Sequence, residues 1–217
     1  ILPKYRNNTS IISERHFCIL FDYFGKCPQE EVNAFVREIR QYGFFSYFSG
    51  GERSLRGERA TELYFPDDEL KQFFSEKPST KFLDWESYKS IISPDSHGRL
   101  RDFFQKLGVQ IFPRISEKVT GDGRFNQVVE YEIDGLREAV DAVLSTKDPQ
   151  RSAFLWQKLC DLEENNQLNR DVLKKQVMSR KKRKQHWTTV YEDSETYVLL
   201  KTAAWVLNEK GSFVSVA

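Results

Sequence analysis

Apolar residues along this chain come in short bursts. Their spacing switches between the three-and-four rhythm of a helix and the alternation of a strand. After Cys27-Pro28, the positions Val32, Phe35, Val36, Ile39 and Tyr42 form one apolar stripe. Glu30 and Glu31 sit where a helix's positive end favours them, and Gly43 ends the run. This pattern predicts a helix over 28–42. Phe44 to Phe48 reads as a strand, Gly50-Gly51 as a polar, Arg-rich turn, and Thr61 to Phe65 as the return strand. A short helix over Asp68 to Phe74 follows, with Asp67 as its N-cap, and Phe82-Leu83 is a short strand. Ser93-Pro94-Asp95 starts a helix whose stripe is Leu100, Phe103, Phe104 and Leu107, stopped by Gly108.

Beyond that point, Val109 to Phe112 and Phe125 to Ile133 read as strands on either side of an Asp122-Gly123 turn. Gly135 leads into a helix through Leu136, Val140 and Val143. Thr146-Lys147-Asp148-Pro149 reads as a linker, after which Leu155, Leu159 and Leu162 mark another helix. His186 to Tyr191 is an aromatic strand. Ser194 caps a helix through Leu200, and Asn208 to Gly211 turns a terminal hairpin between Trp205–Leu207 and Ser212–Val214. The expectation is an α+β protein in two parts. A mixed α/β unit spans 1–148, and a smaller helical unit with a terminal β-hairpin spans 149–217.

Composition narrows the function classes. The chain has 217 residues, 14% of them aromatic, which is enough to fold one sizeable core or two small ones. The net charge of +1 supplies no global field for nucleic acid or acidic lipid, so such a role must come from a local patch. Cys18, Cys27 and Cys160 are odd in number and widely spaced. That fits a reducing, cytoplasmic setting better than a disulfide framework or a zinc site. There is neither an apolar run of membrane-spanning length nor a signal-peptide pattern. The chain starts without Met and stops inside a predicted strand, so it reads as a segment of a longer protein.

The search for chemistry yields no enzyme signature. No GxxxxGK loop, HExxH pair or GxSxG elbow occurs, and His16, His97 and His186 are scattered. Asp67 with Glu69-Leu70-Lys71 contains the pieces of a metal-dependent nuclease core. Packed into one helix start, they cannot take up positions on adjacent strands. The Phe pairs 44–45, 73–74 and 103–104 read as core. One local charge feature stands out: Lys174, Lys175, Arg180, Lys181, Lys182, Arg183 and Lys184, followed by His186 and Trp187. A cationic run beside aromatics pairs phosphates and stacks bases, so DNA or RNA is the alternative partner. Against this, like-charge runs are commonly just solvated, and Asp161, Glu163 and Glu164 upstream balance this one.

Several stretches in order resemble a family. They are Leu2-Pro3-Lys4-Tyr5, Glu62 to Pro66 with Glu69-Leu70, Phe82-Leu83-Asp84 with Tyr88, Leu100 to Phe104, and Leu107-Gly108-Val109. Leu155-Trp156, Leu199-Leu200-Lys201, Trp205-Val206 and Gly211 to Val214 complete the series. Together they resemble the region downstream of the ATPase domain in large bacterial sacsin-like proteins, which carry a GHKL-type ATPase domain. The resemblance implies a non-catalytic interaction or transducer segment. Its partners would be an ATPase domain in cis and a protein client, in a chaperone-like or bacterial-defence setting. It places ATP elsewhere in the parent protein: Gly121-Asp122-Gly123 lacks the spacing of the family's nucleotide loop, and Asn165 and Asn166 stand without one. No cofactor is expected in this segment.

Overall fold

The structure is a computed structural model that describes residues 10–123, 126–169, 171–179 and 187–216. It is an α+β protein of helices and antiparallel sheets. The chain divides into two compact units, Ile1–Phe112 and Pro113–Ala217. This boundary corrects the expected split at 148–149. Asp148 is instead the N-cap of a helix, its Oδ1 accepting from Gln150 N at 2.8 Å, with Pro149 in the first turn. The linker signal was therefore a tight helix-to-helix corner inside the second unit. Nor is the second unit small and helical, because it contains a four-stranded sheet.

The first unit begins with a helix that the apolar spacing alone had not singled out, α1 (Glu14–Lys26). Ser13 caps it, and it buries Phe17, Leu20 and Phe21. Helix α2 (Gln29–Ile39) follows after Pro28 as expected and buries Val32, Val36 and Ile39. Strand β1 (Tyr47–Ser49) turns through Gly50 and Gly51 into β2 (Glu52–Arg53).

The expected return strand over 61–65 is corrected. The partner of Phe45 is Glu58, joined by hydrogen bonds of 3.0 and 2.9 Å in the two directions, and Ala60–Glu62 is a 3-10 turn. Gly57 permits this early return. A Cβ there would stand 2.5 Å from Phe44 Cα, so only glycine lets the two backbones approach. Tyr64 instead runs parallel to both Phe82 and Gln110.

Helix α3 (Asp68–Phe73), strand β3 (Lys81–Leu83), helix α4 (Trp85–Ser90) and helix α5 (His97–Leu107) complete the unit. Gly108 ends α5 in the left-handed region, at φ 95°. The expected strand over 109–112 reduces to the bridge at Gln110. The sheet order is β2-β1-β3. Its core is largely aromatic. Phe104 is fully buried, with ring centroids 5.0 Å from Tyr88, 5.4 Å from Phe45 and 5.8 Å from Phe17. Each buried Phe is worth about 1.5–3 kcal/mol of transfer free energy, and each well-placed ring pair about 0.5–1.5 more.

The second unit opens with β4 (Ile115–Gly121), a strand not read from the sequence, which turns at Asp122-Gly123 into β5 (Asn126–Ile133). Asp122 Oδ1 accepts from Asn126 N at 3.0 Å and fastens that turn. Helices α6 (Leu136–Thr146) and α7 (Pro149–Glu164) follow, then β6 (Lys174–Ser179) and β7 (Thr188–Asp193). The sheet is antiparallel throughout, in the order β4-β5-β6-β7. Ser194 caps helix α8 (Glu195–Thr202) as expected, its Oγ accepting from Tyr197 N at 3.1 Å and donating to Val172 O at 3.1 Å. Strands β8 (Val206–Leu207) and β9 (Phe213–Val214) form the expected hairpin. Asn208 Oδ1 holds its turn by accepting from Lys210 N and Ser212 N. Ser152 Oγ on α7 donates to Trp205 O at 2.7 Å, tying the hairpin to the helices.

Candidate functional site

The described part of the basic run, Lys174 and Lys175, falls on the four-stranded sheet of the second unit. Lys174 to Ser179 is strand β6, and Trp187 immediately precedes β7. Register fixes which residues share a face, because directly opposed residues in an antiparallel pair point the same way. Val119, Val129, Gln176 and Tyr191 lie in one row, and Thr120, Val128, Val177 and Val190 lie in a row on the other face. Both rows reach solvent: Val119 and Val190 are 51% exposed and Tyr191 65%. A sheet with one face on a core buries the apolar residues of that face and presents the other to water. Here exposed apolar residues appear on both faces of the outer strands, so neither face is covered at these positions.

The two lysines of β6 are engaged. Lys174 pairs with Asp193, and Lys175 Nζ lies 3.3 Å from Glu192, each pair joining β6 to β7. The hydrogen bond from Lys174 holds the Asp193 carboxyl below its usual range against the opposing effect of burial, and the positive charges of Lys174 and Lys201 add to it. Both lysines thus serve as cross-strand ties, which reduces the charge they offer to a phosphate. Trp187 is 38% exposed. Arg180, Lys181, Lys182, Arg183 and Lys184, with His186, lie outside the described residues.

The first unit holds a cleft of about 890 Å³ between the β1–β2 turn and α3. That volume falls within the range of small-molecule pockets. Phe48, Phe74, Phe82 and Trp85 line it, with Asp67 and Lys71 at its edge. Of the residues singled out as nuclease pieces, Asp67 and Lys71 line this cleft, each in an ion pair. Asp67 takes two hydrogen bonds from Arg101, the shorter 2.9 Å, and Lys71 sits 3.8 Å from Asp68. Asp67 is the N-cap by position, yet its carboxylate makes no capping bond. Among the described residues, Thr80 Oγ1 is buried without a hydrogen-bond partner, one donor left unsatisfied in the lining of the cleft.

Asp84, at one end of the cleft, belongs to a buried polar network. Its Oδ2 accepts from Ser46 Oγ at 2.8 Å and from Arg53 Nε at 2.8 Å. Ser46 N donates to Tyr88 Oη at 2.8 Å. Burial pushes the Tyr88 hydroxyl far above its usual pKa, which the Ser46 bond only partly opposes, so Tyr88 stays neutral. The network braces β1, β2 and α4 against one another. Arg53, from the polar, Arg-rich turn, is the cation of this brace. The signal for it, a lone Asp after Phe82-Leu83, becomes legible only once β1 and β3 are paired.

A smaller groove of about 260 Å³ lies in the second unit, among Trp156, Leu159, Cys160, Leu200 and Trp205. Trp156 is half exposed, with its ring centroid 5.8 Å from that of Trp205. Cys18, Cys27 and Cys160 are free thiols. Among the described residues, no group of three or more His, Cys, Asp or Glu is placed to hold a metal ion, and no helix is long and apolar enough to cross a membrane.

The fold and these surfaces define an α+β protein whose distinguishing exposed feature is a two-faced antiparallel sheet. Comparison of the chain with protein-family models, with curated proteins and with solved structures finds no match.

Proposed function

We propose that this chain is a non-catalytic interaction or transducer segment, and that the sheet β4-β5-β6-β7 is the surface through which it acts. The single observation that carries this reading is the apolar exposure of Val119, Val190 and Tyr191 on a regular, hydrogen-bonded scaffold. Exposed apolar groups on rigid strands lose little conformational freedom when a partner covers them. The sacsin-like resemblance supplies the setting: a large, cytoplasmic, ATP-dependent protein in which this segment couples an ATPase domain to a client. ATP then belongs to that domain, and this segment needs no cofactor. The nucleic-acid alternative rests on Arg180 to Lys184, because Lys174 and Lys175 already have carboxylate partners.

The test is site-specific photo-crosslinking. A benzophenone amino acid replaces Tyr191 or Val119 in the intact protein, and the crosslinked peptide is sequenced. A defined protein segment captured at both positions, and absent when the probe sits at Leu55, which is 95% exposed in the first unit, supports the reading. Capture of nucleic acid instead, or of nothing above the Leu55 control, overturns it.

A further inference from the structure

Strand β7 is an edge strand, and its composition leaves it open. Among the described residues its strand neighbour is β6, so one row of its backbone N–H and C=O groups has no strand to pair with. Natural edges are guarded by charged side chains, Lys above all, by Pro, by bulges or by a covering element. The opposite edge, β4, is guarded in this way: it carries Glu117 and Lys118 at its centre and ends at Gly121, with φ 113°. Strand β7, Thr188-Thr189-Val190-Tyr191-Glu192-Asp193, has no Lys, Pro or bulge, and its two charges lie together at one end. Its residues are β-branched, aromatic or acidic, and both acids are already paired to lysines of β6.

We propose that β7 pairs antiparallel with β7 of a second copy of this chain, joining two four-stranded sheets into one of eight strands. The proposal rests on the interaction reading of this sheet and names the partner. Symmetry restricts the register. A two-fold axis perpendicular to the sheet keeps each face on the same side in both copies. Opposed residues in an antiparallel pair also share a face, so one residue of β7 must stand directly opposite its own counterpart. With Val190 on the axis, Val190 meets Val190, Thr189 meets Tyr191 and Thr188 meets Glu192. This register opposes no like charges and makes two β-branched–aromatic pairs, the favourable kind of cross-strand contact. With Tyr191 on the axis, Val190 would face Glu192 and Thr189 would face Asp193, setting carboxylates against an apolar side chain and against a second edge residue. With Thr189 on the axis, the two strands would overlap only over Thr188 to Val190. The sequence therefore selects the Val190 register, which overlaps from Thr188 to Glu192. The occupant that fits both the unguarded edge and this pattern is the strand itself.

An interface of one strand pair is small, so the dimer is weak, with dissociation in the micromolar range or above. The experiment is sedimentation of the whole chain at rising concentration, up to about 100 µM, for wild type, V190K, V190E and the equimolar mixture of the two variants. Val190 is half exposed, so neither charge disturbs a core, and far-UV circular dichroism confirms that each variant folds. The expected result is a concentration-dependent doubling of mass in the wild type, monomers for each variant alone, and restored dimer in the mixture, where Lys faces Glu across the axis. A monomeric wild type overturns the proposal, as does a mixture no more dimeric than its components. If the wild type is monomeric while the Tyr191 crosslinker still captures a different segment, self-pairing fails and the interaction reading stands. If both measurements are blank, both fall.

Discussion

Replacing Arg53 with Met tests whether the Ser46–Asp84–Arg53 network braces the first unit. Methionine keeps most of the side-chain stem and removes the guanidinium. What remains is an Asp84 side chain only 4% exposed that has lost its cation but keeps the Ser46 hydroxyl. Breaking a buried ion pair by removing one partner costs about 3–5 kcal/mol. Arg53 is itself 53% exposed, so water can replace part of what it supplied, and the expectation falls to about 2 kcal/mol. With a urea m-value of about 2 kcal/mol/M, the midpoint drops by about 1 M. Trp85 is the one tryptophan of the first unit, so with fluorotryptophan labelling its resonance reports that unit separately from Trp156, Trp187 and Trp205. The double variant R53M/D84N removes the orphaned charge along with its partner, and should be more stable than R53M alone by about 1 kcal/mol. A loss for R53M within about 0.5 kcal/mol of zero would refute the reasoning. So would a double variant no more stable than R53M.

Two further outcomes follow from features of the first unit. Burial alone would raise the Glu58 carboxyl pKa, but the Lys81 hydrogen bond, the Arg59 N–H and both positive charges outweigh it and hold the pKa low. Glu58 therefore stabilises the fold fully above the unfolded carboxylate pKa of about 4.3, and this is lost as pH falls through the lowered folded value. The pair is partly exposed, so E58Q should cost about 0.5–1 kcal/mol at neutral pH in urea titrations, and progressively less as pH falls through the lowered folded pKa; a difference constant with pH would count against the pairing. Gly57→Ala should destabilise by about 2 kcal/mol or more, because its Cβ would meet Phe44 backbone rather than a side chain able to move. Thermal unfolding of G57A alongside G98A, where a new Cβ meets open space, separates this clash from the general effect of losing a glycine.

The elements legible in the sequence were those specified by local chemistry. Helix α5 carries both its apolar stripe and its Gly108 stop, and the β8–β9 hairpin carries Asn208 and Gly211 at its turn. Ser194 was readable as a cap because a hydroxyl before a helix satisfies a free N–H wherever that helix goes. What was not legible depended on distant partners. Strand β4 has six of its seven residues exposed, so no inward-facing alternation marks it, and its partner β5 defines it. Thr61 to Phe65 has strand-like composition, but Tyr64 pairs in parallel with Phe82 and Gln110, and no local signal distinguishes that from a hairpin return. The candidate surface was half visible. Sequence reading drew attention to Lys174, Lys175 and Trp187 through charge and aromaticity. The exposure of Val119, Val190 and Tyr191 on two faces appears only when the register is known.

The parallel pairing of Tyr64 with Gln110 also bears on how the first unit comes into being. Its sheet is closed by a residue 46 positions later in the chain, through Phe65 N to Gln110 O and Gln110 N to Leu63 O. During synthesis, helices α1 and α2 and the β1–β2 turn can form early, because their contacts are local. The closure at Tyr64 must wait until Gln110 has left the ribosome. Until then Leu63 and Phe65, both fully buried in the finished fold, lack one of their backbone neighbours. The nascent first unit thus passes through a stage with its central backbone unpaired on one side. That interval ends almost where the second unit's sequence begins.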